Sequence, residues 1–167
     1  MKWLLWIGGG IATLIIVMVI LGSLLPKRHT VTRRTRIAHP PQKVWEAIAN
    51  PAGAAAWRPD VKQVEMLEPR NGRLVWREHW KDGNKILFEQ EEAAAPSRLV
   101  TRIADPSLPF GGRWIHELKV VENGTEIAIT EDGEIYNPIF RFLARFVFGH
   151  SGTIEAYLKA LEARKWD

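Results

Sequence analysis

The sequence predicts an α+β protein, with one transmembrane helix followed by a curved antiparallel sheet wrapped around a long C-terminal helix. Three observations carry this. From Trp3 to Leu25 no side chain is ionisable; at about 1.5 Å per residue this run slightly exceeds a hydrocarbon core of about 30 Å. Asn71-Gly72, Asp82-Gly83 and Asn123-Gly124 separate segments of alternating apolar and polar residues. Such dipeptides favour the positive φ values of tight hairpin turns. Beyond Pro138, Ile139, Leu143, Phe146, Val147, Ile154, Tyr157, Leu158 and Leu161 recur at helical spacing.

The first element, residues 1–26, reads as an uncleaved anchor. A signal peptide has a shorter apolar core and small residues around its cleavage site. A cut after Gly22 or Ser23 would place Ile20 or Leu21 where a small residue is needed. A buried core helix would show a polar face, and this run has none. Lys2 precedes the span, whereas Lys27, Arg28, Arg33, Arg34 and Arg36 follow it. Basic residues stay on the cytoplasmic side, so the expected location is the cell membrane, single-pass, with residues 27–167 in the cytoplasm. The anchor is expected to act as a tether without core contacts. The whole chain carries a net charge of +4, yet residues 37–167 sum to −2. The basicity is therefore a juxtamembrane collar, and a nucleic-acid-binding face is excluded.

The soluble domain, residues 27–167, is of ordinary single-domain size. It opens with a β-rich stretch, 29–38, with Val31 and Ile37 on one face. Pro40 and Pro41 start a helix, where a missing N–H costs nothing; Val44, Trp45, Ile48 and Ala49 give it a buried stripe, and Asn50-Pro51 stops it. A short second helix near Ala54–Ala56 follows. Six strands are expected at about 62–69, 73–81, 85–92, 98–104, 112–121 and 125–133, and a single helix over 138–165, bent at Gly149 and Gly152.

This order of elements resembles the helix-grip superfamily, the SRPBCC proteins, which include START-like lipid-transfer domains, polyketide cyclase-like proteins and Bet v1-like carriers. The residues that carry the resemblance are HPPQKVWEAIANP (39–51), WRPDVKQVE (57–65), GTEIAITEDGEIYNP (124–138) and GTIEAYLKALEA (152–163). The match spans essentially all of 29–167, and the anchor is an addition to the usual pattern. The resemblance implies a cavity between the concave sheet face and the terminal helix. It does not name a reaction, because this scaffold hosts carriers, enzymes and regulators.

Strand alternation selects the residues that would face such a cavity. These are Trp76, Glu78 and Trp80 on one strand, Phe88 and Gln90 on the next, Trp114 and His116 on another, and Glu131 on the last; Phe142 and Phe146 of the terminal helix would close it. An aromatic lining with few polar points suits a hydrophobic small molecule. Each Trp is equally readable as core filling. Glu78 and His116 are the weak catalytic candidates; paired across strands they would serve as acid and base. Leu108, Phe110 and the stretch IFRFLARFVF (139–148) either close over the pocket or touch a bilayer. GHSG at 149–152 lacks the second glycine and the preceding strand of a nucleophile elbow. The five His residues show no metal-ligand spacing, and no cofactor is implied.

The leading functional expectation is a membrane-anchored, non-catalytic binding domain for a hydrophobic or amphipathic, lipid-like molecule. The alternatives are a cyclase- or hydratase-like enzyme using Glu78 and His116, and a membrane-associated interaction or stress factor.

Overall fold

The structure is a computed structural model that describes residues 2–166. Helix α1 (Lys2–Leu24) is followed by β1 (Arg28–Ile37), α2 (Pro41–Ile48), a 3₁₀ helix (Pro51–Ala56) and six further strands. These are β2 (Val61–Arg70), β3 (Arg73–Trp80), β4 (Lys85–Ala94), β5 (Arg98–Ile103), β6 (Phe110–Val121) and β7 (Gly124–Ile135). The sheet is antiparallel, in the order β1-β7-β6-β5-β4-β3-β2. Strands β2 to β7 pair with their neighbours in the chain, because short connections join them. Asn71 and Gly72, and Asn123 and Gly124, take the positive φ that their turns require. Strand β1 pairs with β7, which places the first strand at an edge. This is the expected helix-grip architecture. Within α1, Trp6–Leu24 has nearly all of its apolar surface outside the fold, and it is long and apolar enough to cross a membrane.

The expected single helix over 138–165 is three pieces. Asn137 caps α3 (Pro138–Leu143), its side chain accepting from the N–H groups of Ile139 and Phe140. A π-helical turn follows at Ala144–Phe148, and Gly149 then leaves the helix at φ 75°. Helix α4 (Gly152–Glu162) restarts the chain and buries Ile154, Tyr157, Leu158, Ala160 and Leu161. Of the three pieces, α4 is the helix gripped by the sheet.

Nor is α1 a bare tether. Gly22 is buried against the backbone of Pro138, so closely that any Cβ would overlap the carbonyl oxygen. The Arg141 guanidinium donates to the Leu25 carbonyl (2.8 Å), a cation at the C-terminal end of α1, where the helix dipole favours one. Lys27 then accepts from the Ile135 N–H, and Pro109 from the Tyr136 N–H.

Register defines two ends of the sheet. Arg28 lies opposite Glu134, Gly111 opposite Glu134, Phe88 opposite Ile103 and Val61 opposite Trp80. The starts of β1, β2, β4 and β6 and the finishes of β3, β5 and β7 therefore share the end where α1 joins. The Asn71-Gly72 and Asn123-Gly124 turns lie at the far end. The inward face divides accordingly. Towards the far end Ile37, Leu118, Ile127 and Ile129 pack with Val44, Trp45, Ile48, Ile154, Leu158 and Leu161 as a closed core. Towards the α1 end the same strand faces diverge from α4 and leave a cavity.

Candidate functional site

The cavity has a volume of about 470 Å³. Trp76, Glu78 and Trp80 of β3, Phe88 of β4, Trp114 and His116 of β6 and Glu131 of β7 all lie on its wall. The alternation that selected them holds because each strand keeps its period of two through this region. Gln90 shares that face but lies off the wall, and the register between β4 and β5 shifts immediately after it.

Phe142 and Phe146 are not on the wall. Their rings pack on each other at 4.9 Å, and Phe146 is 62% exposed. The helical residues that reach the wall are Phe140, Ala144 and Phe148, with Thr153 and Tyr157 beyond the break. A straight helix over 138–165 assigns the wrong face, because the π turn and Gly149 reset the helical phase.

Glu78 does not pair with His116. Strands β4 and β5 separate their strands in the sheet. The partner of Glu78 is Arg58, which lies between the 3₁₀ helix and β2. Its Nη1 donates to both carboxylate oxygens of Glu78 at 2.8 and 3.0 Å, and its Nη2 donates to Asp60 at 2.9 Å. The Trp76 indole N–H adds a long contact to Glu78, 3.4 Å. Arg58 and Glu78 are both buried, at 8% and 4% exposure. Burial works against the Arg58 charge, but the two carboxylates outweigh it and raise the pKa above the ordinary arginine value. The guanidinium also lies over the rings of Trp80 and Tyr157, 5.4 Å from each centroid. The cavity thus contains a charge pair that is largely satisfied within the protein.

His116 is buried on the same wall. Its Nδ1 donates to the Leu99 carbonyl at 3.3 Å, which leaves Nε2 the bare acceptor of a neutral ring, without a partner among the described residues. Burial first, then the Arg58 charge, lower its pKa to about 4. Tyr157 beside it is pushed well above the usual phenol range by burial. At the α1 end of the wall, Glu131 accepts from the Trp114 indole N–H and meets the His29 ring, both at 3.1 Å. The His29 ring stacks on His150 at 4.1 Å. Burial and the neighbouring His29 lower the His150 pKa.

Arg58, Tyr157, Trp57, His29 and His150 are wall residues that the strand alternation did not select. His29 shares the inward phase of Val31, and Tyr157 sits in the apolar stripe of α4, so both were findable. Arg58 lies in an irregular segment without periodicity, and only the fold brings it to Glu78.

The family described as polyketide cyclase / dehydrase and lipid transport matches residues 28–164. The chain belongs to this family. Its helix-grip fold recurs in the Zhui aromatase/cyclase from Streptomyces sp. R1128, at 19% identity over 81% of this chain and 92% of that one, TM-score 0.64. A START superfamily protein from Mycobacterium smegmatis is 20% identical over 81% and 96% of the two chains, TM-score 0.64. A protein from Thermus thermophilus is 22% identical over 81% and 95%, TM-score 0.66. No curated protein matches the chain. The family match begins at Arg28, so α1 lies outside it.

Proposed function

We propose that this member of the polyketide cyclase / dehydrase and lipid transport family is a membrane-anchored binding domain for a hydrophobic or amphipathic small molecule, and that it performs no covalent chemistry. The observation that carries this reading is the cavity of about 470 Å³, whose wall sets Trp, Phe and Ile side chains among polar ones. Its volume falls in the range of small-molecule sites. Its buried carboxylate–guanidinium pair is bound to itself, which suits an anchor point for a ligand oxygen better than a free acid or base. Membrane attachment rests on the length and apolar surface of α1 and on the basic residues that follow it. The START-like neighbour and the lipid-transport part of the family description agree with this reading.

The test is binding of anthroyloxy-stearic acid to the detergent-solubilised full chain, with and without Trp80→Ala. A wall residue loses probe affinity on truncation, and stability falls by less than the roughly 3–5 kcal/mol typical of a core tryptophan. A full core-sized loss of stability with unchanged probe binding would refute the assignment.

A second reading has one observation in its favour. The unpartnered, neutral Nε2 of His116 is able to take a proton from a bound substrate, and the Zhui neighbour is an aromatase/cyclase. Turnover of a linear poly-β-ketone by the wild-type protein, lost in His116→Gln, would replace the binding reading by this one.

A further inference from the structure

The place where α1 enters the domain coincides with the open end of the cavity. The sheet register brings the starts of β1 and β6, the finish of β7 and the 104–109 loop to that end. The connections there are hydrogen-bonded to one another: Arg141 to Leu25, Ile135 to Lys27, Tyr136 to Pro109. The same end carries the cavity rim. Among the wall residues, Phe140 and Phe148 of the helical segment are exposed, as are the polar Asn50, Asp82 and Asn84.

The segment 140–148 has an unusual surface. Phe146, Val147 and Phe148 are 62%, 61% and 72% exposed, and Phe140 is half-exposed. Phe146 to Phe148 form an exposed apolar run, with the exposed Arg145 immediately before it. A patch of this kind signals an interaction surface on a soluble domain. Here it continues directly from α1, since α3 packs on the last turn of that helix through Gly22 and Pro138. A bilayer crossed by α1 lies next to α3, which packs on the last turn of that helix. Aromatic residues with a neighbouring Arg suit the interfacial region, where the rings insert and the guanidinium reaches the headgroups.

We propose that the cavity opens onto the bilayer that α1 crosses, and that residues 140–148 are seated in the leaflet as the entry by which a ligand passes between lipid and cavity. The proposal rests on the reading of α1 as a membrane span and of the cavity as a binding site. It adds the route: the ligand moves laterally from the leaflet past Phe140 and Phe148, not through water. The polar rim residues stay among the headgroups, and the far-end turns point away from the membrane.

The chain contains no Cys, so a single introduced thiol reports a single place. The full chain carrying Val147→Cys, labelled with a polarity-sensitive fluorophore, is reconstituted into vesicles of phosphatidylcholine and phosphatidylglycerol. Val120→Cys, at another exposed apolar position near the far-end turn, is the comparison, and Ile15→Cys reports on the span itself. The expected result is quenching of the 147 label by doxyl lipid and its protection from aqueous iodide, with the reverse at 120. Equal iodide access at 147 and 120 overturns the seating. Iodide access at 15 removes the span and the seating with it.

Uptake of anthroyloxy-stearic acid from the same vesicles gives the second readout. The double variant Phe146→Glu, Val147→Glu alters exposed residues that are off the cavity wall. Its uptake rate falls roughly tenfold, the order expected when charges are forced out of a leaflet, while probe affinity in detergent is unchanged. Unchanged uptake overturns the route. Leaflet quenching at 147 without any probe binding in detergent would instead refute the binding function and leave the seating intact.

Discussion

Two buried side chains, Arg58 and His116, define the chemistry of the cavity. Arg58 is held by Glu78 and Asp60, and truncating one member leaves the other charge buried and unpaired. Arg58→Met is expected to destabilise the protein by about 3–5 kcal/mol, and the double variant Arg58→Met, Glu78→Leu to recover most of that loss. Urea denaturation of the solubilised chain measures both. His116 makes a different prediction, because its pKa is lowered by burial to about 4. The native state binds this proton less readily than the unfolded chain. The contribution of His116 is therefore fully present above pH 6.5 and lost progressively as the pH falls from there towards 4, by about 3 kcal/mol in all. His150, lowered by burial and by His29, acts in the same direction. Glu65, Glu89 and Glu134 have lowered pKa values, so their contribution is lost only below the ordinary carboxylate range. Hence the slope of stability between pH 6.5 and 5 should flatten in His116→Gln. An unchanged slope would locate the proton elsewhere.

At the scale of elements, two glycines govern how the C-terminal half is built. Gly149 takes φ 75° with open space around its Cα. Its ψ of 177° puts it in a region that is essentially glycine-only, so Gly149→Ala is expected to cost about 1–3 kcal/mol through backbone strain alone, read as a lowered unfolding midpoint. Gly22 is a packing glycine. A side chain there meets the Pro138 backbone, which has no room to yield. Gly22→Val is expected to separate α1 from α3 and to expose the buried Arg141, so trypsin should cleave there markedly faster while the strands stay protected. The break at Gly149 also explains why Phe142 and Phe146 lie off the wall. A periodicity of 3.6 extrapolated from α4 across a π turn drifts away from the positions that reach the cavity, Phe140, Ala144 and Phe148.

For the whole molecule, the charge distribution predicts an orientation. Lys27, Arg28, Arg33, Arg34 and Arg36 follow α1, and only Lys2 precedes it. A reporter enzyme active only outside the cytoplasm, fused after Asp167, should be silent if these residues hold the domain inside. Strong activity would reverse the orientation and leave the seating of residues 140–148 against the leaflet unchanged, since that geometry does not depend on the side.

The strands, their turns and the inward face of each were legible in the sequence. Alternation and Asn-Gly or Asp-Gly dipeptides are local signals, and a one-residue slip would have turned Trp76, Glu78, Trp114 and His116 outward. The apolar run of α1 was legible for the same reason. The tertiary structure alone decided which inward residues became core and which became cavity wall, because that depends on where the sheet diverges from α4. Leu118 and Trp114 share one face of β6, yet Leu118 is core and Trp114 is wall. The partner of Glu78 and the docking of α1 on α3 were decided in the same way. Arg58 lies 20 residues from Glu78, and Arg141 lies 116 from Leu25. Contacts that join an irregular segment to a strand, or a helix end to another helix, leave no period in the sequence from which to read them.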